Sequence, residues 1–341
     1  MTKVVAMIDM SIRSFQDDDE STVLDLLRVS LGGGPGGDRT PEFFRWKHLA
    51  NPFGRSYMLV AEVDSTIIGL RAFMRWRFRS DGRAIRAVRA VDTATHPDHQ
   101  GRGVFSTLTR RALEDLQADT DVIFNTPNEN SLPGYLKMGW TTVGRVPVAI
   151  RVRRPLRVAV GAIGRSHAPG EGRRPEVHAP QASDVLDEAT VAPLLDQSLV
   201  ADARMVTERT PAYLWWRYAT APMLDYRAFV AEGPDGLTGI VVFRVRPRGR
   251  LWETMVTELL VRPGDRATAR RLLRCAIRAA RVDHVTCTFP SGSSSHLASS
   301  GCGFIPSGRG PTLVANQLRD VPRSPARLGS WALTLGDVEV F

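Results

Sequence analysis

Two stretches of this chain set residue types at spacings that chemistry can use. The first is His96-Pro-Asp-His-Gln100-Gly101-Arg102-Gly103-Val104-Phe105, which joins an expected strand to an expected amphipathic helix. Glycines there let the backbone turn sharply and point successive N–H groups into one concavity. The helix that opens at this turn adds its positive end, and Arg102 adds a fixed cation, so the loop suits a phosphate or pyrophosphate. It is not a P-loop, because no Gly-Lys-Ser/Thr follows, and it lacks the third glycine of a dinucleotide fingerprint. Alone, a Gly-x-Gly turn equally fits plain turn chemistry. The second stretch is Phe124-Asn-Thr-Pro-Asn128-Glu-Asn130-Ser131-Leu-Pro-Gly-Tyr135-Leu-Lys-Met-Gly139-Trp140. It offers amide side chains and one phenol just beyond a short apolar strand.

Taken together, the two motifs resemble the GCN5-related N-acetyltransferase superfamily. Gln100-x-x-Gly103, after a strand ending in Thr95-His96-Pro97, is similar to that superfamily's coenzyme A pyrophosphate loop. Asn128, Tyr135, Lys137, Gly139 and Trp140 match its Asn-(x)6-Tyr-x-Lys-x-Gly-Phe signature. The chain departs from the pattern at Phe105, where the superfamily usually has glycine or alanine.

The resemblance implies acetyl-CoA as co-substrate and an α/β fold with a mixed sheet. The parting fourth and fifth strands would hold the pantetheine, and a backbone N–H of the fourth would bind the thioester oxygen. That strand is expected over Ala87–Thr95, which makes Thr93, Ala94 and Thr95 cofactor-binding residues. With them stand Gln100, Gly101, Arg102, Gly103, Val104, Phe105, Asn128 and Ser131. Tyr135, four residues before Gly139, occupies the position of the superfamily's general acid. A free thiol ionises near about 8.5 and a tyrosine near about 10, so the proton transfer becomes feasible in a dry site. Asp92, on the fourth strand, is the candidate base; its competing role is a strand-end carboxylate paired with Arg89 or Arg71. No metal is called for.

The elements that must position these residues occur twice. Pro41, Trp46, Glu62, Gly69 and Phe73 recur 170 residues later as Pro211, Trp216, Glu232, Gly239 and Phe243. Pro97 recurs as Pro263 at 166, and Gly139 as Gly303 at 164, as two small deletions would produce. Copy one reads as two helices, three antiparallel-type strands, then strand, helix, strand, helix, and the repeat makes copy two a second domain of the same fold. Strands are expected at Tyr57–Val63, Thr66–Arg77, Ile85–Thr95 and Val122–Asn125, and a short helix at Ser131–Met138. The first helix should stop at Gly32-Gly33-Gly34. The expected organisation is therefore two tandem acetyltransferase-type domains. The first is catalytic over 1–150, a linker follows at 151–182, a degenerate copy spans 183–318 and a tail 319–341. The tail's alternation of Trp331, Leu333 and Leu335 reads as a strand.

Copy two lacks the equipment. Nine positions separate Pro263 from Leu272, against eleven between Pro97 and Leu108, and Gly264-Asp265 replaces the glycine loop. Asp265 puts a carboxylate where phosphate would sit, serine occupies position 299 and Gly292 stands in the place of Asn128. One coenzyme A per chain is expected. In one tandem branch, the enhanced-survival aminoglycoside acetyltransferases, the terminal carboxylate is the base, and this chain ends in Phe341.

The 341 residues suffice for two cores, and 43% hydrophobic with 24% charged residues excludes wholesale disorder. No apolar run reaches the roughly 18 residues of a membrane helix, and no secretory leader pattern opens the chain. Three cysteines fit reduced thiols, so a cytoplasmic protein is expected. The net charge of +9 favours anionic ligands. Nucleic acid is not expected, because no aromatic–basic interleaving occurs. The function expected is an acetyl-CoA-dependent N-acetyltransferase acting on a primary amine of a small molecule, an aminosugar or an amine-bearing metabolite or antibiotic. The alternatives are a transferase with a longer acyl or aminoacyl donor, and a non-catalytic module binding coenzyme A or nucleic acid.

Overall fold

A computed structural model describes residues 9–33, 39–163, 174–198, 202–234 and 236–339. In chain order, β1 spans Ser11–Ser14, α1 Glu20–Leu31, α2 Pro41–His48, β2 Tyr57–Val63, β3 Thr66–Ser80 and β4 Arg83–Thr95. Next come α3 at Val104–Leu116, β5 at Val122–Asn125, α4 at Leu132–Lys137, β6 at Thr141–Arg145 and β7 at Ala149–Val152. The α5, α6 and α7 helices occupy Pro155–Ile163, Ala182–Val185 and Glu188–Ser198, followed by β8 at Val206–Thr207 and α8 at Pro211–Leu214. The remainder is β9 (Tyr226–Gly233), β10 (Gly236–Arg248), β11 (Leu251–Val261), α9 (Arg266–Arg278), β12 (His284–Cys287), α10 (Ser294–Gly301), β13 (Ile305–Pro306), β14 (Thr312–Gln317) and α11 (Leu335–Val338).

Local sequence explains the punctuation. Gly32, at φ 73°, ends α1, while Gly34 lies outside the described residues. The Thr40 hydroxyl accepts from the Phe43 N–H at 3.3 Å and Pro41 takes the first helical position, so α2 starts there. Asp64 and Ser65 turn β2 into β3, and Asp81 and Gly82 turn β3 into β4, each pair at positive φ as tight hairpins require.

The chain divides into two compact units. One comprises Met1–Gly144 and Thr312–Arg327, the other Arg145–Pro311 and Leu328–Glu339. The first unit's sheet runs β1-β2-β3-β4-β5-β14-β6, mixed because β4 and β5 are parallel and their neighbours antiparallel. In the second, the order is β9-β10-β11-β12-β7-β13, with β11 and β12 parallel. The α3 helix packs Val104, Leu108, Ala112 and Leu116 on the first sheet, and α9 packs Ala269, Leu272, Leu273 and Ala276 on the second. Gly69 permits that contact in one copy, since a Cβ there would lie 2.6 Å from Val104. Gly239 does the same in the other, against Leu272 at 2.9 Å and Thr268 at 3.0 Å.

The units are not the contiguous pieces 1–150 and 183–318. Beside β5 lies β14, a strand from the far end of the chain, and beside β12 lies β7. Each sheet thus takes its last inner strand from the other copy's sequence. Pattern reading assigns a strand to a period, not to a partner, so contiguous boundaries cannot register this exchange. The stretch 151–182 is correspondingly more ordered than a linker: it holds the end of β7 and α5, with 164–173 outside the described residues. The tail is not a strand. A single parallel bridge joins Trp331 to Met205, and Leu335–Val338 forms a helical turn.

Candidate active site

The glycine loop stands between β4 and α3 as the spacing requires. Gly101 and Gly103 take φ 74° and 83°, and a Cβ at either would meet nothing within 4 Å. Gly103 is the N-cap of α3 and contributes no side chain, and the first turn carries no acidic residue. The first N–H groups of this helix are therefore left for an external acceptor. The Gln100 amide donates to the Thr95 carbonyl at 3.3 Å and fastens the loop to the strand end. Arg102 is exposed beside it, and Val104 is buried under Gly69. An open, glycine-built helix start with no carboxylate of its own fits a diphosphate.

At the equivalent turn of copy two the opposite holds. The Asp265 carboxylate accepts from the Thr268 N–H at 2.9 Å and caps α9. That backbone hydrogen bond holds its carboxyl below the usual range.

Pairing between β4 and β5 extends only over Ala87–Val122, Val88–Ile123 and Arg89–Phe124. Beyond Arg89 the strands part, and β4 carries a bulge: Arg71 of β3 faces both Asp92 and Thr93. Asp92 sits there at φ 36°. The Arg71 guanidinium makes no hydrogen bond to it. The carboxylate lies 2.5 Å from the Lys47 ammonium, 2.9 Å from His48 Nε2 and 3.3 Å from Arg39. Burial would raise this carboxyl, but the Lys47 charge and the His48 hydrogen bond outweigh it and hold it well below the ordinary range. His48 is fully buried, with Nδ1 2.9 Å from the Ser56 hydroxyl, and burial lowers its ring below the usual histidine value.

The same cluster recurs in copy two. Arg39, His48 and Asp92 become Arg209, Tyr218 and Glu258 at the repeat's own offsets of 170 and 166. Arg209 lies 2.9 Å from Glu258, and the Tyr218 hydroxyl donates to Glu258 at 2.9 Å. A charged cluster present in both copies belongs to the fold. Lys47, His48 and Arg39 were not singled out above, although the 170-residue offset that pairs Trp46 with Trp216 also pairs Arg39 with Arg209.

Tyr135 is buried on α4 and its hydroxyl accepts from Arg71 Nη1 at 3.0 Å. The same Nη1 donates to the Thr93 hydroxyl. Phe105 stands edge-on to Tyr135, 5.8 Å between centroids, and covers Gly134, where a Cβ would meet its ring at 3.1 Å. Phe105 is thus part of the wall around Tyr135, which accounts for a large ring at a position that is usually small. Asn128 accepts from the Ser131 N–H at 2.9 Å and hydroxyl at 3.0 Å, so these two close the turn into α4. Ala94 is buried and Thr95 ends the strand. Phe341 lies outside the described residues. Among the described residues no cluster could hold a metal ion, and no helix is long and apolar enough to cross a membrane.

The sequence profile of the acetyltransferase (GNAT) domain matches residues 11–143. No curated protein sequence matches the chain. Solved structures share its fold at low identity. A GCN5-related N-acetyltransferase from Anabaena variabilis superposes with a TM-score of 0.63 at 13% identity, covering 93% of this chain and 75% of that one. One from Kribbella flavida gives 0.58 at 17%, covering 94% and 74%. Eis1 from Mycobacterium abscessus gives 0.56 at 16%, covering 91% and 73%. Residues 11–143 thus form an acetyltransferase (GNAT) domain, and over more than nine-tenths of its length the chain shares the fold of these N-acetyltransferase structures.

Proposed function

We propose that the first unit transfers an acetyl group from acetyl-CoA to a primary amine of a small molecule, an aminosugar or an amine-bearing metabolite or antibiotic. The observation that carries this reading is the contrast between the two helix starts: glycine-built and open at Gly103, capped by Asp265 in copy two. Bound coenzyme A supplies a thioester, whose carbonyl carbon is the electrophile. Backbone N–H groups from Gln100 to Phe105 would hold its diphosphate, and the parted strand Thr93–Thr95 with Asn128 and Ser131 its pantetheine arm. A β4 N–H aimed at the developing oxyanion contributes about 3 kcal/mol.

The amine attacks the carbonyl carbon directly. As the carbon–sulfur bond breaks, its electron pair stays on sulfur, and the Tyr135 hydroxyl gives sulfur its proton. The proton lost by the acylated nitrogen returns through water to the tyrosinate. Asp92 then has a different part from the one its strand position suggested. Locked between Lys47, His48 and Arg39, and matched in a copy without the loop, it holds the β4 bulge in shape. Three free cysteines accord with a reducing, cytoplasmic setting.

A thiol-release assay across acyl-CoA donors and a panel of amines tests the reading. The expected result is amine-dependent release from acetyl-CoA, with aminosugars among the acceptors. Binding of coenzyme A without release for any amine would overturn it.

A further inference from the structure

The repeat provides an internal control. Residues needed by the fold should persist in both copies, and residues needed by the chemistry only in the first. Arg39, His48 and Asp92 persist as Arg209, Tyr218 and Glu258. Around Tyr135 the arginine, the threonine and both rings are all replaced. Arg71 becomes Val241 at offset 170, and Thr93 becomes Leu259 at 166. Phe105 becomes Ala269 and Tyr135 becomes Ser299, both at 164. The register of this last step is fixed because Gly69 meets Val104 and Leu108 just as Gly239 meets Thr268 and Leu272.

Arg71 is the unexpected member of this set. It is fully buried on β3, and among the described residues no carboxylate pairs with it. Its Nε and Nη2 make no hydrogen bond there, while Nη1 bridges the Thr93 and Tyr135 hydroxyls. The guanidinium sits over three rings: Phe73 at 4.3 Å, Tyr135 at 5.2 Å and Phe105 at 5.4 Å from their centroids. A buried cation without a counter-ion is costly, and copy two folds with valine in its place.

We propose that Arg71 is the positioning residue for the general acid, a reading that rests on the acid role of Tyr135. An arginine side chain only donates hydrogen bonds. Because Nη1 fills one lone pair of the Tyr135 oxygen, the hydroxyl proton must point elsewhere, toward the sulfur that needs it. When the proton has passed to sulfur, the tyrosinate left behind lies one charge-assisted hydrogen bond from a fixed cation in a low-dielectric site. The aromatic box of Phe73, Phe105 and Tyr135 keeps the guanidinium there through cation–π contact. Phe105 is therefore a supporting wall of the acid, which only the catalytic copy retains.

The test is a double-mutant cycle on the full chain with Arg71→Met and Tyr135→Phe. Arg71→Met should lower kcat by about tenfold or more. Acetyl-CoA affinity by calorimetry should stay near wild type. In the Tyr135→Phe background the same substitution should change kcat by less than about twofold, since it acts through the missing hydroxyl. An independent readout is the tyrosine Fermi doublet in the Raman difference spectrum of wild type minus Tyr135→Phe. It should report a hydrogen-bond acceptor, and the matching difference in the Arg71→Met background should not. Should Arg71→Met fail to fold, Arg71→Lys keeps a cationic donor and is run through the same cycle, with a smaller loss that again vanishes without the Tyr135 hydroxyl. Equal losses in both backgrounds, or an unchanged doublet, would overturn the role of Arg71. Full kcat in Tyr135→Phe alone would instead remove the acid reading beneath it.

Discussion

Tyr135 and His48 illustrate two kinds of buried polar residue in the first unit, and they make opposite predictions. Tyr135 lies against the parted strands with its oxygen accepting from Arg71, a geometry for handing a proton outward. Tyr135→Phe should lower kcat by about 10²-fold or more and leave acetyl-CoA affinity near wild type. A purely structural tyrosine would cost stability and leave kcat per folded molecule unchanged. His48, by contrast, is held neutral by burial, with its ring lowered below the ordinary value of about 6.5. In the pH range below that value the unfolded chain binds a proton that the folded one resists, so stability is present above about 6.5 and lost as pH falls. The thermal midpoint should drop between pH 7.5 and 5.5, and His48→Gln should reduce that drop. An equal drop in both proteins would show that His48 does not set it. Tyr135 was legible in the sequence because its signature is local. The Asp92 cluster was not, because Lys47 and His48 on α2 and Arg39 just before it reach it from 44 to 53 residues away, and only the fold joins them.

At the level of elements, one helix start appears in two chemical states. The α3 helix opens on Gly103 with its N–H groups uncapped, and α9 opens on a capping carboxylate. Asp265→Ala should destabilise the second unit by about 1 kcal/mol, the worth of an N-cap. It should create no coenzyme A site, because the glycine turn is absent as well. A denaturant midpoint unchanged by that substitution would contradict the capping role. The strands β2 to β5 and the amphipathic helix α3 were readable from period, and the turns at Asp64-Ser65 and Asp81-Gly82 that join β2, β3 and β4 are local features of the sequence. The exchange of β7 and β14 was not readable. Both are short apolar strands whose pairing is decided by which sheet edge is exposed, and that property belongs to the folded copies rather than to the segments.

The last described residues carry buried charge. Asp337 accepts from Arg209 at 3.1 Å and from the Thr334 N–H at 2.7 Å, and both ionic partners are buried. Glu339 accepts from the Tyr226 hydroxyl at 2.7 Å and pairs with Arg217 and Arg244. Glu258 keeps Arg209 paired when Asp337 is removed, so Asp337→Ala loses mainly the hydrogen bonds at Thr334 and Arg209 and should destabilise the second unit by about 1–3 kcal/mol. A loss under about 1 kcal/mol by denaturant unfolding would mean that this tail contributes little. In sequence the tail showed only its apolar alternation. Its acidic residues gave no sign of the arginines they would meet, because Arg209, Arg217 and Arg244 lie 95 to 128 positions upstream of their partners.

We propose that the two copies divide the labour, the fold being made twice and the diphosphate site once. Titration calorimetry with acetyl-CoA measures it directly. Wild type should bind one equivalent per chain, and Gly103→Asp, which sets a side chain and a negative charge at the helix start, should abolish binding while the chain stays folded. Two equivalents for wild type, or one equivalent surviving in Gly103→Asp, would contradict the claim and make the helix start at Asp265 a working site.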